Sequence, residues 1–310
     1  MGKRVEKPRK DHGMKVGIIG LGIMGGAFAR NLLDGGFEVI GVDVVAENVA
    51  ALEAAGGAGA GSPREAALDA DIMITSLPSA AAFHDVISGG NGIAAALKDG
   101  LVVIEASTLP IADKEAGRDA LAAVGSILLD CPISGTGAQA ATKDLAVYAS
   151  GDEQAYELAA AVFDGFARTH SYVGPFGAGS KMKYVANHLV HIHNVASAEA
   201  MVLGMKAGLD PKLMLDVLTR GAGTSRVLEL RGPMMVEDKY DEATMKIDIW
   251  QKDMNVIGEF AASMNVPVPV FAACVPVYLS ALAKGMDKLD TAAVCRVMEE
   301  MAGLDRGKQE

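Results

Sequence analysis

The stretch KVGIIGLGIMGG, residues 15–26, decides the fold that we predict for this chain. A short apolar run of strand length, Lys15 to Gly20, opens it, and a helical pattern closes it and continues through Leu33. Between them lies a glycine-rich turn made of Gly20, Leu21, Gly22, Ile23, Met24 and Gly25. In this GxGxxG pattern the first glycine permits a tight turn, the second lets the backbone approach a pyrophosphate, and the third lets helix and strand pack closely. Strand, turn and helix in this order predict a dinucleotide-binding unit with the phosphates at the helix N-terminus.

A second predicted strand, Phe37 to Val42, ends at Asp43. A carboxylate at this position of a dinucleotide-binding unit suits the adenosine ribose diol. The residues that follow, Val44 to Ala46, include no Arg or Lys that could meet a 2′-phosphate. The sequence therefore favours NAD over NADP as the cofactor.

Three further strands are predicted at Asp71 to Leu77, Leu101 to Ala106 and Ile127 to Asp130. Ligands of an open parallel sheet bind beyond the carboxyl ends of its strands. Residues at two of these ends are candidate walls for the nicotinamide half of the cofactor, although each also fits an ordinary strand-to-helix turn: Leu77, Pro78, Ser107 and Thr108.

The loop after the predicted strand Ile127 to Asp130 is rich in hydroxyl groups and glycines, and it contains Ser134, Gly135, Thr136 and Gly137. Hydroxyls and unhindered backbone N–H groups can hold a carboxylate without a charged side chain. Taken alone, the loop also fits a simple turn. A strand at Leu145 to Ser150, a helix from about Glu153 to Phe163 and a strand near Thr169 to Val173 complete the predicted first domain.

A long run without proline, from Lys181 to about Lys206, follows three glycines at positions 174, 177 and 179. Its apolar residues recur at helical spacing, so Lys183 and Asn187 share one helix face. His191 extends that face by another turn. A lysine and an amide on a rigid helix beside a glycine-rich approach predict a reaction centre, while a solvated surface lysine is the alternative that this stretch leaves open.

After Gly177 the pattern is helical to the end, with helices predicted at Pro211 to Thr219, about Ile247 to Met264, Phe271 to Lys284 and Asp290 to Met301. The predicted fold class is therefore an α/β Rossmann domain with a C-terminal all-α domain, joined by a long interdomain helix. The predicted domains are a basic N-terminal extension (1–13), the dinucleotide-binding Rossmann domain (14–176) and a helical substrate and dimerisation domain (177–310). Apolar residues around most of the long helix predict a homodimer or homotetramer.

Composition limits the classes of function. The chain has 310 residues, of which 50% are hydrophobic and 22% charged, as in a well-buried two-domain protein. A net charge of −11 argues against a nucleic-acid partner, and the apolar runs are too interrupted to predict a membrane span. Cys131, Cys274 and Cys295 are widely spaced, which fits reduced thiols in a cytoplasm and offers no metal-ligand spacing.

Four motifs in one order resemble the β-hydroxyacid dehydrogenase family, which includes 3-hydroxyisobutyrate dehydrogenase, tartronate semialdehyde reductase and the related 6-phosphogluconate dehydrogenases. The resemblance covers nearly the whole chain from Met14. The family's cofactor motif matches residues 20–25, its D-x-P-V-S-G-G motif matches 130–136, its G-x-x-G-x-G-x-x-x-K-x-x-x-N motif matches 174–187, and its K-D-L motif matches 252–254. Thr136 replaces the usual second glycine, and Gln139 and Lys143 stand where glycines are common. These departures bear on substrate identity and not on reaction type.

The resemblance implies an NAD-dependent dehydrogenase that oxidises the hydroxyl of a small 3-hydroxy carboxylic acid of the 3-hydroxyisobutyrate, glycerate, serine or aldonate class. It implies that Lys183 is the general acid/base and that Asn187 positions the substrate. Lys252 would close the site from the helical domain, near substrate and cofactor. The substrate carboxylate would be held by Ser134, Gly135 and Thr136.

Other interpretations stay open at this point. A core or interface position is favoured for His191, whereas contact with the substrate would favour a hydroxylated acid such as an aldonic acid. The same fold also serves imine reductases, semialdehyde reductases and 6-phosphogluconate-type decarboxylases. Lys183 argues against the first of these, and the want of a dedicated basic cluster argues against the last. A non-catalytic NAD-binding protein would need the glycine turn alone, and not the retained set of Ser134, Lys183, Asn187 and Lys252.

Overall fold

The computed structural model describes residues 13–308. The predicted basic extension therefore lies outside the described residues, apart from Gly13. The chain divides into two compact units, and the division falls between Lys183 and Tyr184.

Six parallel strands form the main sheet of the first unit, in the order β3-β2-β1-β4-β5-β6. They are β1 (Lys15–Ile19), β2 (Glu38–Val42), β3 (Ala58–Gly59), β4 (Ile72–Thr75), β5 (Val102–Glu105) and β6 (Ile127–Asp130). This order is that of the Rossmann fold, so the predicted α/β class is confirmed. The sequence did not predict β3, because a two-residue Ala-Gly strand has no β-branched or aromatic side chain to mark it.

Helices cover both faces of this sheet. They are α1 (Ile23–Gly35), α2 (Ala46–Ala54), α3 (Pro63–Asp69), α4 (Ala80–Ser88), α5 (Ile111–Ala122), α6 (Gly137–Ala141) and α7 (Glu153–Phe166). One apolar cluster contains Val16, Ile18, Phe28, Leu32 and Phe166, and another contains Ile19, Met73, Phe83, Val103 and Leu121. Because successive side chains of β1 enter different clusters, the strand is apolar along its whole length, as parallel strands usually are.

A smaller sheet follows β6. It consists of β7 (Ile133–Ser134), β8 (Ala146–Ala149) and β9 (Thr169–Tyr172), with β7 antiparallel and β9 parallel to β8. An antiparallel bridge between Asp130 and Ser150 joins it to the end of β6. The bridge brings the Ser134 loop and the end of β6 into one region of the first unit.

The 29-residue helix α8 (Ala178–Lys206) begins in the first unit and continues into the second. It is followed by α9 (Pro211–Leu218), α10 (Arg226–Glu237), α11 (Ile247–Ser263), α12 (Pro269–Ala283) and α13 (Val294–Met301), with 3₁₀ turns at Thr291–Ala293 and Arg306–Lys308. The predicted all-α region is confirmed. The sequence missed α10 because Gly232 and Pro233 lie in its middle and indicate a turn.

Across residues 13–308, no helix combines the length and the apolar composition that crossing a membrane requires.

Candidate active site

The turn after β1 has the shape that a dinucleotide phosphate requires. Gly20 has a φ of +91°, and a Cβ there would lie 2.2 Å from the Ser76 carbonyl oxygen. A Cβ on Gly25 would lie 1.8 Å from the Gly20 carbonyl oxygen, so helix and turn approach closely. A Cβ on Gly22 would meet nothing within 4 Å. The open space at Gly22, at the start of α1, fits a pyrophosphate held by helix N–H groups.

Asp43 supports this turn in addition to its predicted role at the ribose. Its Oδ2 accepts a hydrogen bond from Leu21 N at 2.6 Å, and its Oδ1 accepts one from Val45 N at 2.8 Å. Each carboxylate oxygen keeps a further acceptor position, so a ribose diol can still bind. Val44 is fully exposed beside it. The sequence did not reveal the bond that ties Asp43 to the glycine turn.

Hydrogen bonds tie the ends of β4 and β5 together. Leu77 N donates to Ser107 Oγ at 2.8 Å, and Ser107 N donates to Glu105 Oε1 at 2.7 Å. The Thr75 hydroxyl donates to the other oxygen of Glu105. Two predicted wall residues, Leu77 and Ser107, are thus brought into contact, and Pro78 and Thr108 follow them directly in the chain.

The loop predicted to hold a carboxylate is fixed at both of its ends. Ser134 ends β7, and a Cβ on Gly135, whose φ is +138°, would lie 2.4 Å from the Leu145 side chain. Thr136 is the N-cap of α6, and its N–H donates to Gln139 Oε1 at 3.1 Å. Gln139 Nε2 in turn donates to an oxygen of Asp144 at 3.1 Å. Two of the three departures from the family motif, Thr136 and Gln139, therefore act together to cap one helix.

Lys183 lies near the start of α8 and is only 8% exposed. The first turn of this helix is held by buried side chains to which the sequence assigned no such role. Ser180 N donates to Asp130 Oδ2 at 2.8 Å, and Gly179 N donates to Ser150 Oγ at 2.9 Å. These bonds satisfy helix N–H groups that have no partner within the helix.

In the second unit, Asn187 is held by a carboxylate. Asn187 is 4% exposed, and its Nδ2 donates to Asp253 Oδ2 at 2.9 Å. The Lys252 ammonium lies 3.7 Å from Asp253 Oδ1. Asp253 therefore contacts two predicted site residues. The K-D-L motif contains it, but the resemblance gave it no role.

His191 lies in the interior of the second unit, with no exposed surface. Its Nδ1 lies 2.6 Å from the Asn187 carbonyl oxygen, which can only accept, so Nδ1 carries the proton and Nε2 is an acceptor. The ring stacks on Trp250 at 4.1 Å between centroids. Burial lowers the pKa of His191 from 6.5 to about 3, against the opposing effect of the hydrogen bond to Asn187. The ring is accordingly neutral at physiological pH.

Within the described part of the chain, no three His, Cys, Asp or Glu side chains are grouped so that they could hold a metal ion. Cys131, Cys274 and Cys295 are buried and form no disulfide.

Residues 15–174 match the family model for the NAD binding domain of 6-phosphogluconate dehydrogenase. Residues 177–298 match the model for "NAD-binding of NADP-dependent 3-hydroxyisobutyrate dehydrogenase". The chain belongs to the β-hydroxyacid dehydrogenase family. The resemblance inferred from four motifs is thereby confirmed.

Individual members of the family are similar to this chain over most of its length. An L-threonate dehydrogenase of Cupriavidus necator is 35% identical over 283 residues, which are 91% of this chain and 95% of that one. The mitochondrial 3-hydroxyisobutyrate dehydrogenase of Mus musculus is 30% identical over 292 residues, 92% of this chain and 87% of that one. A solved 3-hydroxyisobutyrate dehydrogenase from Salmonella typhimurium has a TM-score of 0.83 and 33% identity, covering 92% of this chain and 99% of its own. This β-hydroxyacid dehydrogenase family member is therefore a nicotinamide-cofactor dehydrogenase that acts on a hydroxy acid.

Proposed function

We propose that this protein is an NAD-dependent dehydrogenase of a small 3-hydroxy acid and that Lys183 is its general acid/base. The observation that carries the proposal is the burial of Lys183 on a helix whose first turn is held by Asp130 and Ser150. An ordinary surface lysine has neither feature. Among the substrate classes, an aldonate such as L-threonate is favoured, because a relative of that name is 35% identical over 91% of the chain.

In the oxidative direction the Lys183 Nζ takes the proton of the substrate hydroxyl, and in the reductive direction it returns that proton. A lysine can accept a proton only when it is uncharged. Bound nicotinamide supplies the hydride chemistry. Ser134 Oγ and the backbone N–H of Gly135 hold the substrate carboxylate. The predicted contribution of the Thr136 backbone is limited, because its N–H already donates to Gln139 Oε1. Asn187 and Lys252 are proposed to contact the substrate, with Lys252 also near the cofactor.

The preference for NAD over NADP is supported by Asp43. Its carboxylate stands beside the glycine turn, where the negative charge would repel a 2′-phosphate. Val44 and Val45 next to it are exposed and uncharged.

Exposed apolar side chains on α8 support a homodimer or homotetramer. Val185 is 57% and Leu189 is 49% exposed, and the two lie one turn apart. Apolar surface of this kind commonly marks a protein contact. Sedimentation velocity would test the oligomer, and Val185→Glu should weaken it. A cytoplasmic location stays a prediction from the cysteine pattern.

NADH absorbance tests the activity. Wild type would be mixed with NAD or NADP and with L-threonate, 3-hydroxyisobutyrate, D-glycerate, L-serine or 6-phosphogluconate. Lys183→Met should lower kcat by about 10²–10⁴-fold and keep its affinity for NADH, because general acid–base catalysis contributes that much. Lys181→Met is the matched control, since Lys181 is an exposed neighbour on the same helix.

Turnover that survives in Lys183→Met would contradict the assignment of the base. NADH binding without turnover of any acid would favour a non-catalytic NAD-binding protein. Turnover of a cyclic imine in place of every acid would favour an imine reductase.

A further inference from the structure

One buried lysine of the first unit, Lys114, has no part in the function described so far. It lies on α5 and has no exposed surface. Its Nζ donates to the Ser107 carbonyl oxygen at 2.7 Å and to Asp130 Oδ1 at 2.8 Å, and it lies 3.9 Å from Glu105 Oε1. The ammonium therefore contacts the ends of both β5 and β6.

On the β6 side, the Asp130 carboxylate forms hydrogen bonds with Ser180, in the first turn of α8. Its Oδ1 accepts from Lys114 Nζ and from Ser180 Oγ at 2.7 Å, and its Oδ2 accepts from Ser180 N at 2.8 Å and from Ser150 Oγ at 3.2 Å. A carboxylate has about four acceptor positions, and each has a donor here, although the Ser150 hydroxyl is shared with the Asp130 carbonyl oxygen at 3.1 Å. Donors on both oxygens hold the carboxylate in one orientation. Ser180 precedes Lys183 by three residues and shares its helix face.

On the β5 side, the same ammonium holds the backbone beside the predicted nicotinamide wall. Ser107, whose carbonyl oxygen accepts from Lys114, also accepts a hydrogen bond from Leu77 N through its hydroxyl. Its N–H is bound by Glu105. One cation thus connects the proposed cofactor wall to the helix that carries the proposed base.

Stability alone does not explain a charged group at this place. Apolar side chains of similar volume commonly replace both partners of a buried ion pair without loss of stability, because desolvation offsets the attraction of the charges. What an apolar side chain cannot do is fix the position of a carboxylate and a carbonyl oxygen at once. We propose that Lys114 is a positioning residue. It holds Ser107, a predicted wall residue of the nicotinamide site, and the first turn of α8 in the relative geometry that hydride and proton transfer require. This inference rests on the proposed function.

The test compares Lys114→Met with Lys98→Met. Lys98 is a matched control, because its ammonium also joins elements of the first unit, through the carbonyl oxygens of Ala67, Leu68 and Ala70. It lies before the amino ends of β5 and β6, whereas Lys114 holds their carboxyl ends. In Lys114→Met we expect kcat to fall by about 10–100-fold and the deuterium isotope effect on kcat to rise, because small misplacements slow the chemical step. The KM of the acid and the calorimetric Kd of NADH should stay within about threefold of wild type, because the binding groups remain. Lys98→Met should match wild type in all four quantities.

The inference is overturned if folded Lys114→Met keeps the kcat and isotope effect of wild type. It is also overturned if the kcat of Lys98→Met falls as far as that of Lys114→Met. If Lys114→Met does not fold, Ser180→Ala decides, since it removes one bond from Asp130 to α8 and no charge. A lowered kcat with unchanged KM supports the inference, and an unchanged kcat overturns it.

Failure of the proposed function is a separate result, namely no turnover of any acid by wild type. The positioning of Lys183 can then be read without turnover, as the rate of its reductive methylation followed by mass spectrometry in the protein without cofactor. Lys114→Met should change this rate for Lys183 and leave that of exposed Lys181 unchanged. Equal rates in wild type and variant would overturn the inference.

Discussion

In the first unit, the buried Asp130 carboxylate has a donor at each of its acceptor positions. In the second unit, buried atoms of six side chains have no hydrogen-bond partner within residues 13–308: His191 Nε2, Asn194 Oδ1, Arg231 Nη1, the Tyr240 hydroxyl, Trp250 Nε1 and Gln251 Oε1. Buried polar atoms without a protein partner usually form hydrogen bonds with buried water. Removing a member of a fully paired network leaves its partners unsatisfied, whereas an atom without a partner leaves none behind. The difference suggests that the fold fixes the proposed base from the first unit, and that the polar core of the helical unit is the more replaceable.

The largest expected effect comes from breaking the paired network. Asp130→Leu removes the carboxylate that accepts from the Lys114 ammonium and from the Ser180 N–H of α8. Because these buried donors lose their partner, we expect the free energy of unfolding to fall by about 3–5 kcal/mol. Arg231→Leu should lower it by less than about 2 kcal/mol. Its partner Asp290, 3.6 Å away, keeps hydrogen bonds from Thr244, Met245 and Ala292. Urea denaturation followed by circular dichroism measures both, and equal losses would contradict the comparison.

Acid should act on the second unit through His191. Its pKa is 6.5 when unfolded and about 3 when folded. Between these values the unfolded chain binds a proton that the folded chain does not. Stability is therefore lost as the pH falls from 6.5 towards 3, by up to about 1.4 kcal/mol per pH unit.

His191→Phe removes this dependence, so the unfolding free energy of wild type relative to the variant should fall by about 3 kcal/mol between pH 6.5 and 4. His193→Gln, two residues along α8, is the control and should keep the slope of wild type. Parallel pH curves for wild type and His191→Phe would show that His191 is not buried as described.

Two serines give a smaller contrast. Ser150→Ala removes the acceptor of the Gly179 N–H, which is buried, and should cost about 1–3 kcal/mol. The hydroxyl of Ser197 donates to the His193 carbonyl oxygen within α8, so Ser197→Ala should change stability by less than about 0.5 kcal/mol. Thermal unfolding of the two variants would compare them, and a larger loss in Ser197→Ala would reverse the argument.

The smallest effect is expected outside both polar interiors. Lys143 has a φ of 61°, in the left-handed region that favours glycine. Lys143→Gly should raise the free energy of unfolding by about 0.5–1 kcal/mol, which is the strain removed less the entropy that glycine loses on folding. Thr142, with a φ of −109°, provides the control, since Thr142→Gly should destabilise. A lower free energy of unfolding in Lys143→Gly would mean that the lysine side chain has a stabilising contact of its own.

The sheet, the cofactor turn and the order of the elements could be predicted because their signals are local. The glycine turn of residues 20–25 lies within six positions of the sequence, and Lys183 and Asn187 are one helical turn apart. The carboxylate that anchors α8 gave no such signal, because Asp130 lies 50 residues before Ser180. Lys114 gave no sequence signal either, since only the fold brings it to Asp130. The contact of Asp253 with Asn187 could not be predicted for the same reason, because the two lie 66 residues apart in the sequence.

The stacked Trp250 provides a spectroscopic means of separating the two units. It is the one tryptophan among 310 residues, it is 2% exposed, and it belongs to the second unit. Its fluorescence emission therefore follows the unfolding of the helical unit, while far-ultraviolet circular dichroism follows helices in both. Coincident transitions by the two signals would show that the units unfold as one cooperative system, and separated transitions would yield a stability for each.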